Sequence, residues 1–151
     1  MILGLDNSFG FILNHAGRRL TQLLNSHFQP YDMTTEQWVV LNRLADEDGI
    51  TQKLLAVRAE KDQTNITRIL DQLERKGFVE RRANETDRRS FLTFITEQGK
   101  ALNDILTPIE QKVIASVLSG FTEEQTSILR GMLIQLTNQA NACIKELEES
   151  Q

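Results

Sequence analysis

Cysteine is almost missing from this 151-residue chain, and its single thiol, Cys143, excludes an internal disulfide framework. That usage suits a reducing compartment, and the protein is expected to be cytoplasmic. No apolar run approaches the roughly 20 residues that a membrane-crossing helix needs. The N-terminal segment lacks the basic stretch that opens a secretion signal, because Arg18-Arg19 follows the apolar residues instead of preceding them. Proline occurs twice only, and neither repeats nor low-complexity tracts are present. The patterns of catalysis are missing too. The chain has no phosphate-binding glycine loop, no nucleophile elbow, no His-Glu-x-x-His pair and no carboxylates converging on one helical face. The expectation is no enzyme, no catalytic residues, no cofactor and no metal site. His15 and His27 lie about 120° apart around one helix and cannot share a metal unaided.

Positive charge is scarce overall, with a net charge of −4, yet it is unevenly spread. Residues 51–96 hold ten lysines and arginines against seven acids, while the other 105 residues hold seven against fourteen. Such asymmetry says more about a nucleic-acid face than the overall balance does. With 40% hydrophobic and 25% charged residues, the chain has ordinary globular values and length enough for one real core.

What is abundant is helical periodicity. Phe9, Ile12, Leu13, Ala16, Leu20, Leu23, Leu24 and Phe28 recur at three- and four-residue spacing, predicting a helix over 8–28 that Pro30 ends. Thr34-Thr35-Glu36-Gln37 is a capping box for a second helix, burying Trp38, Leu41 and Leu44 and stopping near Gly49. Thr51 caps a short third helix with Leu54, Leu55 and Val57 as its apolar positions. Asp62 caps a fourth that runs to Lys76, where Gly77 supplies a left-handed stop. Residues 78–82 and 91–95 read as paired strands flanking an Arg/Asp-rich tip. Thr96 caps a fifth helix, which Pro108 is expected to kink, and Thr122-Glu123-Glu124-Gln125 opens the last. A core of Trp38, Leu41, Leu54, Ile66, Leu70 and Phe78 can close on itself. The long helices at either end then keep apolar stripes, for which a two-fold dimer is the economical solution. Cys143 falls on the last helix's seam, where a buried, inert thiol is expected.

The helix from Asp62 carries the functional signal. Ile66, Ile69, Leu70 and Leu73 share one side, while Gln63, Thr64, Asn65 and Arg68 occupy the exposed N-terminal end. Gln and Asn pair with adenine, Arg with guanine O6 and N7, and a Thr methyl with thymine. The helix N-terminus also turns N–H groups toward phosphate. Four arginines, Arg81, Arg82, Arg88 and Arg89, flank the ribbon tip, and Arg favours the narrow, negative minor groove. Asp87 is placed to hydrogen-bond a neighbouring Arg and orient it.

On these residues the chain resembles the MarR (multiple antibiotic resistance regulator) family. The resemblance is carried by residues 34–41, by 62–81, and by Asp87-Arg88-Arg89-Ser90 leading into Ile95-Thr96-Glu97-Gln98-Gly99. It implies a mainly α fold with a minor α+β part: a winged helix-turn-helix lobe over 34–96, with helical dimerisation regions at 8–30 and 97–149, all in one domain over 1–151. It implies a homodimer on a palindromic operator in double-stranded DNA, a repressor released by a small-molecule effector. Gln63, Thr64, Asn65 and Arg68 would then read the major groove. Asp87 and Arg89 match the family's Asp-x-Arg wing motif, with Arg89 entering the minor groove and Arg88 meeting phosphate. The implied effector pocket lies among the first, second and fifth helices, whose polar members include His15, Arg19 and Trp38, none assigned as a ligand. Two departures stand out: Glu60 where the turn often has Gly, and Thr93 where the second wing strand is usually apolar. The alternative is a winged-helix adaptor that binds protein in place of DNA, and the intact Arg68, Asp87 and Arg89 argue against it.

Overall fold

The computed structural model describes residues 4–151. Its elements run α1 (Phe9–Phe28), α2 (Thr35–Asp46), β1 (Ile50–Thr51), α3 (Gln52–Ala59), α4 (Gln63–Arg75), β2 (Val79–Ala83), β3 (Phe91–Ile95), α5 (Glu97–Val117) and α6 (Glu123–Glu149), with short 3-10 turns between some of them. The chain divides into two compact units, residues 1–113 and 114–151.

In the first unit, local chemistry sets the element boundaries. The Thr34 hydroxyl accepts the Gln37 N–H at 3.1 Å, and the Gln37 amide oxygen accepts the Thr34 N–H at 3.2 Å, which completes the expected box. Thr51 caps α3 through the Leu54 N–H at 3.1 Å. Asp62 caps α4 through the Asn65 N–H at 2.7 Å, and Thr96 receives the Gly99 N–H at 3.0 Å. Gly77, at φ 83°, turns the chain out of α4 as expected. Helix α5 is assigned without interruption through Pro108.

Phe28, Val40, Leu41, Leu44, Leu55, Ile66, Ile69, Leu70 and Leu73 are wholly buried, so α2, α3 and α4 close around one core that β2 and β3 border. Three of the expected core members, Trp38, Leu54 and Phe78, are only partly buried and pack against its rim. Trp38 lies against Phe28, with ring centroids 5.7 Å apart. Val57, on the apolar pattern of α3, is exposed. The sheet has three strands, in the order β1-β3-β2, all antiparallel. Two were expected. The third, β1, is only Ile50 and Thr51, too short to leave an alternation in the sequence. It adds to the outer edge of β3, and Thr93 secures it: the side chain is fully buried and its hydroxyl donates to the Ile50 carbonyl at 2.7 Å. A hydroxyl at that position is therefore a bonded part of the sheet.

Helix α5 approaches the start of the ribbon closely. A Cβ on Gly99 would come within 2.2 Å of the Phe78 carbonyl oxygen, so only glycine fits. That contact fixes where the ribbon leaves the core.

In the second unit, Thr122 and Gln125 form the other expected capping box, both bonds at 3.0 Å. Helix α6 then has no buried residue, and Ile128, Leu129, Met132, Leu133, Ile134, Ile144 and Leu147 all lie exposed. Cys143 is exposed as well, against the expectation of a buried thiol. The expectation took an apolar seam for a covered one, and among the described residues this stripe is exposed. No helix among the described residues is long and apolar enough to cross a membrane. No group of three His, Cys, Asp or Glu among them could hold a metal ion.

Candidate nucleic-acid interface

Helix α4 presents two unlike faces. Ile66, Ile69, Leu70 and Leu73 are buried, while Gln63, Thr64, Thr67, Arg68 and Arg75 are exposed. The buried face locks the helix against α2 and α3 and leaves the polar N-terminal end outward. Amide and hydroxyl bonds hold the helix along its length. Gln52 Nε2 donates to Thr67 Oγ1 at 2.8 Å, Thr67 Oγ1 to the Gln63 carbonyl at 2.8 Å, and Gln37 Nε2 to Gln72 Oε1 at 2.9 Å. At the C-terminal end, Lys76 donates to Gln37 Oε1 at 3.1 Å and to the Asp32 carbonyl.

The four residues expected at base edges differ in their freedom. Gln63 and Thr64 form no side-chain hydrogen bond among the described residues. Asn65 donates from Nδ2 to Asp62 Oδ2 at 3.1 Å. Arg68 is tied more firmly, its guanidinium donating to Glu36 Oε2 at 3.2 Å and Asn65 Oδ1 at 3.4 Å. Glu36 also faces Lys61 Nζ at 3.6 Å. Sequence reading missed this carboxylate. It lies 32 residues upstream of Arg68 and looks like an ordinary acid in a helix's first turn.

The wing's arginines divide into two pairs. Arg81 turns back onto α4, where its guanidinium meets Asp71 and Glu74 and its own N–H reaches Glu74 Oε2 at 3.0 Å. The Arg81 hydrogen bond holds the Glu74 carboxyl below its ordinary value, and the same bond raises Arg81. Arg82 pairs with Glu80 and lies over the Phe94 ring, 4.2 Å from its centroid. Both of these arginines, which the sequence placed with Arg88 and Arg89 as flanking the tip, are thus engaged within the chain. Arg81 clamps β2 to α4 and thereby fixes the ribbon against the helix. Arg88 and Arg89 are exposed at the tip and have no side-chain partner among the described residues.

The tip holds them out by folding on itself. Asn84 Oδ1 accepts from the Thr86 N–H at 3.1 Å and its hydroxyl at 2.8 Å, while Asn84 Nδ2 donates to Ser90 Oγ at 3.0 Å. Asp87 Oδ1 accepts the backbone N–H of Arg89 at 3.0 Å. The bond expected between Asp87 and a neighbouring Arg is thus present, and it is made to the backbone. It sets the direction in which Arg89 leaves the loop and spends none of its guanidinium donors. All five remain available.

The MarR family model matches residues 33–91, which span α2 through the start of β3 and so contain both the helix and the wing. An uncharacterised HTH-type transcriptional regulator of Bacillus subtilis, YybA, is 30% identical over 116 residues, 77% of each chain. The chain belongs to the MarR family. It is accordingly a DNA-binding transcriptional regulator with a winged helix-turn-helix, and not an enzyme. SarZ of Staphylococcus epidermidis, another HTH-type transcriptional regulator, is 26% identical over 83% of each chain. The crystal structure of a mutant E. coli MarR complexed with operator DNA superposes with a TM-score of 0.79 at 27% identity, covering 84% of this chain and 91% of the other.

In the winged helix-turn-helix fold, α3 and α4 are the helix-turn-helix and β2–β3 the wing. Glu60, the first departure from the family pattern, sits in the left-handed region at φ 53°, ψ 47°. The turn keeps the geometry that glycine adopts easily, at a steric cost borne by a glutamate. Of the polar side chains that the resemblance would place around an effector, Arg19 donates from Nε to His15 Nε2 at 3.3 Å and from NH1 to Gln22 at 3.0 Å. The Trp38 indole nitrogen is buried and has no hydrogen-bond partner among the described residues.

Proposed function

We propose that the chain acts as a homodimeric repressor on a palindromic operator, with residues 34–96 as its DNA-binding lobe and residues 8–30 and 97–149 as its dimerisation helices. Gln63, Thr64, Asn65 and Arg68 read base edges in the major groove. Arg89 enters the minor groove, its loop shaped by Asp87, and Arg88 meets phosphate. A small-molecule effector releases the complex, and the protein works in the cytoplasm.

One observation carries the reading. Among the wing's arginines, only the two at the tip have no side-chain partner among the described residues, and the strand that leads to them is clamped to α4 at Arg81. Two rigidly related cationic and polar elements suit adjacent grooves of one duplex. The dimer reading draws on the apolar side chains left exposed at both ends of the chain, Phe9 and Ile12 on α1 and the stripe on α6. Solvent-exposed rows of that size mark association surfaces.

The test begins with selection of bound duplexes from a randomised pool and with sedimentation of the free chain. Selected sequences should be palindromic and the chain two copies in solution. Arg89→Ala should weaken binding to the selected duplex, and Arg68→Ala should relax preference at one base pair per half-site by about 1–3 kcal/mol. Affinity should fall steeply as salt rises. A solitary chain, or variants with wild-type affinity and preference, would refute the reading.

A further inference from the structure

We propose that Glu36 is a positioning residue that sets DNA specificity through Arg68. The inference rests on the reading of Arg68 as a base-contacting side chain.

The carboxylate stands in the first turn of α2, beside the N-terminal half of α4. One oxygen accepts from a terminal guanidinium nitrogen of Arg68 at 3.2 Å, and the other faces Lys61 Nζ at 3.6 Å. Asn65 Oδ1 takes up the same guanidinium nitrogen at 3.4 Å. Both acceptors therefore draw on one corner of the fork and leave its remaining N–H groups without partners among the described residues. Bidentate pairing to guanine through both terminal nitrogens must release one of these bonds. A phosphate offers the same charge-assisted bond at every position of a duplex, whatever its sequence. An arginine with no hold on it would swing to the nearest phosphate and stabilise any complex. Held by Glu36 and Asn65, Arg68 stays at the base-facing end of α4, and a matched base edge competes for it better than a backbone oxygen. Glu36 thus lowers affinity for the wrong duplex more than for the right one. Arg68 and Glu36 each have side chains 49% exposed, so the effect is modest, roughly two- to fivefold in the ratio of affinities.

The experiment uses the full chain, a duplex selected by it from a randomised pool, and a scrambled duplex of equal length. Wild type, Glu36→Gln, Arg68→Ala and the double variant are compared. Glu36→Gln keeps the side chain's shape and leaves the Thr34–Gln37 cap of α2 intact, so the fold is retained. The expected result is a two- to fivefold loss of discrimination, mainly by tighter binding to the scrambled duplex. Reselection should broaden preference at the same base pair that Arg68→Ala broadens. In the Arg68→Ala background, Glu36→Gln should leave discrimination unchanged. If Glu36→Gln tightens both duplexes equally, with or without Arg68, the carboxylate only repels phosphate and the proposal is overturned. Unchanged discrimination overturns it as well. Should Arg68→Ala itself leave base preference intact, the base-reading role of Arg68 is what fails, and the proposal falls with it.

Discussion

Replacing Glu74 with alanine removes, in one step, the acceptor for both the backbone N–H and the guanidinium of Arg81, each at 3.0 Å. The Arg81 side chain is only 18% exposed, but that of Glu74 is 40% exposed, so water screens the pair on one side. A charge-assisted bond in such a place contributes nearer 1 than 3 kcal/mol, and Asp71 keeps part of the guanidinium occupied. The loss should be about 1–2 kcal/mol, which for a chain of this length lowers the melting temperature by about 3–6 °C. The effect should also depend on pH in a definite sense. Glu74's carboxyl is held below its ordinary value chiefly by the hydrogen bond from Arg81. Its stabilising contribution is therefore complete above the unfolded value and disappears as pH falls through the lowered folded one. Melting followed by circular dichroism should show wild type and Glu74→Ala well apart at neutral pH and converging in acid. Hydrogen exchange at neutral pH should show the Arg81 amide losing protection in the variant, and affinity for DNA should drop because the wing is no longer held to α4. An equal gap at neutral and acid pH would refute the electrostatic account. A variant with wild-type affinity would show that the clamp does not aim the wing.

Three further substitutions probe the frame that carries the interface. Gly99→Ala drives a Cβ into the Phe78 carbonyl, and since the obstacle is backbone the cost should be about 1–3 kcal/mol, read from the denaturant midpoint. Thr93→Val keeps the shape but removes the 2.7 Å bond to Ile50, so about 1 kcal/mol should go, with faster amide exchange along β1. Glu60→Gly relieves the left-handed strain before α4 and should stabilise the fold by up to about 1 kcal/mol in thermal melts; a loss of stability would show that the strain is illusory.

The sequence disclosed most where a local rule has one solution. Hydroxyls at Thr34, Thr51, Thr96 and Thr122 and the carboxylate of Asp62 sit where helices must begin, and all five accept the predicted N–H bonds. The buried face of α4 followed from its period, and the strands of the ribbon from their aromatic and branched residues, to within one residue at β2. What stayed hidden depends on partners distant in sequence. Strand β1 exists because β3 offers it an edge, and nothing in Ile50-Thr51 announces that. Arg81 and Arg82 read like Arg88 and Arg89 until α4 and Phe94 come beside them. Cys143 failed for a related reason, since an apolar seam implies a cover without saying which chain supplies it.

The small cationic excess of residues 51–96 acquires a different meaning once those partners are known. Of its ten basic side chains, Arg58 pairs with Glu47, Lys61 and Arg68 with Glu36, Lys76 with Asp32, Arg81 with Asp71 and Glu74, and Arg82 with Glu80. Glu47, Glu36 and Asp32 lie outside the segment, so acids of the preceding elements neutralise part of what the segment's own count leaves positive. Lys53, Arg75, Arg88 and Arg89 alone enter no ion pair among the described residues, and two of these four share the wing tip. Folding thus pairs six of the ten basic residues with acids and leaves two of the other four, Arg88 and Arg89, at the wing tip beside the exposed Glu85 and Asp87. An acidic chain can in this way still offer two unpaired guanidinium groups to a duplex, because a direct contact depends on the donors that reach it more than on the net charge of the molecule.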